Sequence, residues 1–143
     1  MVKLVLGLYK KYKELVHYLI VGVLTTLVSW ITYYVCVEWI FNPNISWQLQ
    51  SAVILRWLSG VIFAYFTNRK YVFESKNPNL WKEGFHFASS RLLTLFMDMF
   101  VMWFMVTLLG INDWVSTLVS AVLVTITNYF LSKFLVFKKT KKE

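Results

Sequence analysis

Four apolar runs decide what this chain can become. They cover residues 16–37, 49–66, 85–109 and 114–137. A helix needs roughly 20 apolar residues to cross the hydrocarbon of a bilayer, and the runs are of that order. In lipid no water is at hand to bond the backbone, so a spanning segment must satisfy its own N–H and C=O groups, as an α-helix does. The expected fold class is an all-α integral membrane protein with four transmembrane helices. At 58% hydrophobic residues the chain is more apolar than soluble domains of its size, and no polar stretch is left to fold on its own. Residues 1–143 read as a single membrane domain. It comprises a basic interfacial segment 1–15, a helical hairpin 16–73, a second hairpin 85–137 and a basic tail 138–143. The first run is longer than a signal-peptide core and lacks a small-x-small cleavage site, so it is expected to be retained.

The charges orient the spans. Of the 15 Lys and Arg residues, all but Arg56 and Arg91 fall before the first run, between the second and third, or in the group that ends the chain, from Lys133 at the close of the fourth run onward. The other two connections, FNPNISWQ and GINDW, hold neither Lys nor Arg. Positive charge stays on the cytoplasmic side, which puts both termini and the central loop there. A net charge of +8 can also mark a nucleic-acid partner, but these cations flank membrane spans, so none is expected. Anionic lipid headgroups are the natural partners. The N-terminal VKLVLGLYKKYKEL mixes aliphatic residues with Lys, as does a helix lying in the interface.

One phrase is written twice. Residues 65–73 read YFTNRKYVF and residues 129–137 read YFLSKFLVF, offset by 64 positions. The spans before them also match at an offset of 69, pairing His17 with His86, Leu24 with Leu93 and Thr25 with Thr94. The chain therefore reads as two repeated hairpins of the same orientation, related about an axis along the membrane normal, unlike inverted-topology transporters. Each hairpin closes with aromatics and a cation, Arg69 or Lys133. A duplicated interfacial anchor would look like this. So would a phosphate-binding collar, in which Asn68, Arg69 and Lys70 donate to a lipid phosphate. The side chains would have to do that binding, because a helix C-terminus is partially negative.

Three ionisable residues lie inside spans: Arg56, Arg91 and Asp98. Charges at such depth face a protein interior or a cavity. By helical rise Arg56 and Asp98 are each roughly 20 Å from the cytoplasmic end, and Arg91 about 9 Å. A structural Arg56–Asp98 ion pair fits these depths. So does a polar path for an anionic headgroup from Arg69 and Lys70 past Arg91 to Arg56, with Asp98 holding Arg56 when no phosphate is bound. Their repeat counterparts are Ser120, Gly22 and Ser29, so the charges break the symmetry. Asn128 either bonds a neighbouring helix or contacts substrate. His17 and His86 are read as local anchors and Glu38 as solvated. Ser29, Thr25, Thr26 and Ser51 with Gly60 are read as close-packing positions. Cys36 is the only cysteine, which excludes an internal disulfide, and one Cys with two distant His builds no metal site.

HYLIVGVLTTLVSW at the first span, with TNRKYVF and SKFLVF closing the second and fourth, resembles the GtrA-like family. The longer YKELVHYLIVGVLTTLVSW is similar to its Gram-positive teichoic-acid glycosylation branch. The resemblance covers about residues 12–138. It implies a bacterial cytoplasmic-membrane protein that translocates a polyprenyl-phosphate sugar and hands it to a membrane glycosyltransferase. It places the motif on Asn68, Arg69, Lys70 and Phe73. In the second copy Ser132, Lys133 and Phe134 replace the first three, a departure that weakens the fourth span as an equal partner. The expected substrate-binding set is Arg69, Lys70, Asn68, Arg56, Arg91, Asp98, Lys133 and Asn128. No catalytic residue or cofactor is expected, and the protein is not read as an enzyme: its loops are too short for a nucleotide-sugar pocket. A small multidrug exporter wants a carboxylate in the first span, where Ser29 stands. A non-transporting subunit that anchors a glycosyltransferase is the alternative reading. Four helices offer little room for a large amphiphile, so a carrier calls for a homo-oligomer or a lipid-facing groove.

Overall fold

The computed structural model describes residues 1–138. Lys139, Lys141 and Lys142 of the basic tail lie outside the described residues. Among the described residues all regular structure is helical: α1 (Val2–Val35), α2 (Ser46–Thr67), α3 (Leu80–Met102) and α4 (Asp113–Leu131). All four are long and apolar enough to cross a membrane. The all-α membrane class expected from the apolar runs is the class observed. Two helices begin on asparagine caps. The Asn79 side chain accepts from the Lys82 N–H at 3.0 Å, and that of Asn112 from the Trp114 N–H at 2.8 Å, satisfying donors that a helix start leaves open. Gly110, at φ +65°, turns the chain between α3 and α4, a left-handed conformation that costs glycine nothing.

Each helix ends the same way. Phe41, Phe73, Leu109 and Phe137 donate their backbone N–H to the carbonyls of Cys36, Asn68, Phe104 and Ser132, at 2.7, 2.9, 3.1 and 2.8 Å. These are i→i−5 bonds, so the last turn of every helix widens to a π turn. Such turns are rare and tend to mark functional positions. The apolar pattern carries no sign of them, because a π turn keeps the composition of the helix it ends.

The chain divides into two compact units, Met1–Glu74 and a second beginning at Ser75. In the first, α1 packs on α2. Tyr12 leaves helical geometry at φ −110° and ψ 16°, so the basic segment is helical but kinked away from the span. Ala52, Gly60 and Ala64 are buried at four- and eight-residue spacing on α2. A Cβ added at Gly60 would overlap Ser29 Oγ and come within 3.6 Å of Thr25 Cγ2. Small residues let helix backbones approach in lipid, where no hydrophobic force drives them together. Gly60→Ala should therefore lower thermal stability modestly, by about 1 kcal/mol, and Ser29→Ala should relieve most of that cost. Gly60→Leu should cost about 1–3 kcal/mol, with no relief from the Ser29 change. Melting of the four variants in detergent checks this.

In the second unit α3 packs on α4. Ser116, Ser120 and Ser132 of the fourth span are at most 1% exposed, and Thr94 on α3 is 2% exposed, while Leu118 is 69% exposed. Small polar groups line much of this helix interface, as is usual for spans that pack in lipid, while Phe87 and Phe137 are buried beside them.

Candidate functional site

The collar of the first unit is built on Asn68–Val72. Val72 and Phe73 are buried, and the Phe73 ring lies 6.3 Å from that of Tyr18 at 58°. Asn68 is one turn before Val72 on the same face and is 2% exposed. Arg69 is half-buried and Lys70 exposed. The sequence groups Asn68, Arg69 and Lys70 as neighbouring donors; the helix turns them in different directions. Lys70 Nζ sits 5.1 Å from the centroid of the Tyr71 ring. The Tyr71 carbonyl lies 3.3 Å from His17 Nδ1. A carbonyl only accepts, so that nitrogen carries the proton. On the other side His17 Nε2 is 3.2 Å from the Tyr9 hydroxyl. His17 is the local anchor expected, and it ties the kinked N-terminal segment to the collar.

The second unit repeats these contacts. Val136 and Phe137 are buried, and Phe137 meets Phe87 at 5.8 Å and 50°. Phe87 stands 69 residues after Tyr18, and Phe137 stands 64 after Phe73. Lys133 Nζ donates to the Tyr129 hydroxyl at 3.3 Å and lies 5.5 Å from that ring. His86 is exposed beside Phe85. The residue matching Tyr71 is Leu135, and the second aromatic beside the cation is instead Phe134, whose ring centroid lies 5.9 Å from Lys133 Nζ.

Inside the spans, each charge has a partner in its own unit. The Arg56 guanidinium lies over the Tyr33 ring at 5.4 Å and that of Arg91 over Phe87 at 4.5 Å, both cation–π distances. Asp98 accepts from the Ser120 hydroxyl. Ser120 stands 64 residues after Arg56, the offset of the two matching phrases, so a hydroxyl donor stands there where the first hairpin has a guanidinium. Asn128 takes the helix-bonding role: its Oδ1 and the Arg91 carbonyl share the Thr94 hydroxyl, at 2.8 and 3.0 Å. Asn128→Leu should cost about 0.6–2 kcal/mol, and a double-mutant cycle with Thr94→Val should return a coupling of about 0.6 kcal/mol. Additive losses in detergent melts would remove this bond from the account.

Sequence reasoning passed over Glu83. Its side chain is 2% exposed, and its Oε2 accepts from Ser75 Oγ at 2.6 Å. A buried carboxylate needs such donors. The signal was present in the repeat: Glu14 and Glu83 each stand three residues before the matched His17 and His86.

The family model for the GtrA/DPMS transmembrane domain matches residues 17–137. Among curated proteins, the chain is 38% identical over 138 residues to the cell wall teichoic acid glycosylation protein GtcA of Listeria innocua, covering 91% of each chain. It is 36% identical to GtcA of Listeria monocytogenes with the same coverage. To the uncharacterized membrane protein YwcD of Bacillus subtilis it is 37% identical over 129 residues, covering 88% of this chain and 98% of that one. No solved structure matches. With its four spans, its collar turns and this match over nearly its whole length, the chain is a multi-pass membrane protein that belongs to the GtrA/DPMS transmembrane-domain family.

Proposed function

We propose that the protein moves a polyprenyl-phosphate-linked sugar across the cytoplasmic membrane, for glycosylation of teichoic acid or another cell-surface polysaccharide. The names of the GtcA relatives support the pathway. The observation that carries the transport reading is Arg56. It sits in mid-span, and within its own hairpin an aromatic ring holds it rather than a carboxylate. A purely structural charge at that depth gains most from an opposite charge. A cation resting on a ring can still take an incoming phosphate. Moving a sugar phosphate through hydrocarbon is prohibitive without such compensation. On this reading Arg69 and Lys70 receive the headgroup at the membrane surface of the first hairpin, and Arg56 meets it deeper on the same hairpin, roughly 20 Å in by helical rise. The protein acts here as a carrier, without bond chemistry of its own, and hands its lipid to a membrane glycosyltransferase.

Reconstitution into liposomes with a defined polyprenyl-phosphate hexose tests this. Transbilayer movement that depends on the protein is expected. A protein that restores polymer glycosylation in cells yet moves no lipid in liposomes is the anchoring subunit instead. The orientation is checked separately, in a Cys36→Ser background. Single cysteines at positions 44 and 113 should label from outside intact cells, and one at position 76 should not. Outside labelling of position 76 overturns the topology.

A further inference from the structure

Among the described residues, two buried side-chain polar atoms have no hydrogen-bond partner: Asn68 Oδ1 and Ser132 Oγ. They stand 64 residues apart, at the same position of the two repeated phrases, each opening the π turn of its collar. Asn68 is 2% exposed and Ser132 0%. Native proteins bond nearly all such atoms, and an exception marks a strain reservoir, a functional group, or a missing water or ligand. A random packing defect has no reason to fall twice on equivalent positions in two units.

The chemistry of the missing partner follows from the atoms. Asn68 Oδ1 only accepts. An ionised phosphate also only accepts, so phosphate cannot satisfy it. A hydroxyl can, and a hydroxyl also suits Ser132 Oγ. In each collar the next residue is the cation, Arg69 or Lys133, which suits phosphate. Resting on the transport reading above, we propose that each collar pairs a phosphate-binding cation with a buried hydroxyl-accepting subsite. Its ligand is a phosphodiester whose head carries hydroxyls, which is the sugar-loaded lipid and not the bare polyprenyl phosphate. Asn68, which only accepts, thereby sets specificity, and Ser132, which can also donate, supports it: together they make the protein favour the loaded carrier over the spent one. Their burial keeps water from competing for the bond.

A polyprenyl-phosphate sugar and phosphatidylglycerol are both membrane phosphodiesters that carry hydroxyls, and one experiment separates them. The full-length protein in phosphatidylcholine nanodiscs is titrated with a short-chain polyprenyl-phosphate hexose, with the bare polyprenyl phosphate, and with phosphatidylglycerol. The parent should favour the hexose-bearing lipid over the bare one by about tenfold or more, because a site built for a hydroxyl rejects the ligand lacking it. Asn68→Ala should lose about tenfold for the loaded lipid and leave the bare lipid unchanged. Ser132→Ala, a smaller change that guards against a misfolded Asn68 variant, should narrow the preference in the same direction. A preference unchanged in both variants overturns the proposal and leaves a water or a packing defect at these atoms. Equal binding of loaded and bare lipid by the parent overturns it while the phosphate reading stands. Asn68-dependent affinity for phosphatidylglycerol alone overturns the sugar assignment. A parent that binds none of the three removes the transport reading as well.

Discussion

The double replacement Arg69→Ala/Lys70→Ala should weaken binding of a polyprenyl-phosphate hexose by about ten- to a hundredfold. A hydrogen bond to a charged group contributes about 1.5–3 kcal/mol, and each 1.4 kcal/mol is tenfold in Kd. The lower end applies because Lys70 is exposed and water screens it. Insertion should be unaffected, since the buried Val72 and Phe73 hold the turn. Arg69→Lys should fall between, because it keeps the charge and loses the two-pronged geometry. Calorimetric titration of the purified variants reads this directly. An unchanged Kd in the double variant reduces the collar to an interfacial anchor.

Arg56→Leu should abolish transport while leaving the protein as stable as its parent or more so. An arginine at a helix centre costs about 2.5–3.5 kcal/mol on insertion scales. Its contact with the Tyr33 ring returns about 0.5–2 kcal/mol. The balance favours removal, so a structural argument alone gives no reason to keep Arg56. Liposome transport and detergent melting of Arg56→Leu, run together, separate the two roles. Transport at the parental rate would make Arg56 structural.

The spans were legible because lipid imposes length and apolarity on every crossing, and those are properties of composition. The matched collars were legible because Tyr, Phe, Val and Phe recur at fixed places. The inner lining was not. Ser116, Ser120 and Ser132 look like any serine in an apolar run, and only packing tells which face of a span meets protein. Glu83 hides beside Lys82, a pairing that reads as solvated surface, yet only the lysine is exposed. Asn68 is the most instructive case. The sequence places it among donors for an anion, whereas the fold buries it and leaves an acceptor open.

The outward-facing apolar residues also bear on divergence. Leu118, Val122 and Ile126 are 69%, 58% and 47% exposed, and wherever acyl chains cover such a residue, one aliphatic shape fits as readily as another. Exchange of Leu, Val, Ile and Phe at such positions leaves the protein's own contacts almost untouched. Such exchanges should therefore be close to neutral for the fold. Identities of 36–38% to the GtcA relatives leave ample room for exchanges of this kind, whereas the small and polar side chains between the helices, such as Gly60 and Ser120, have packing and hydrogen bonds to lose.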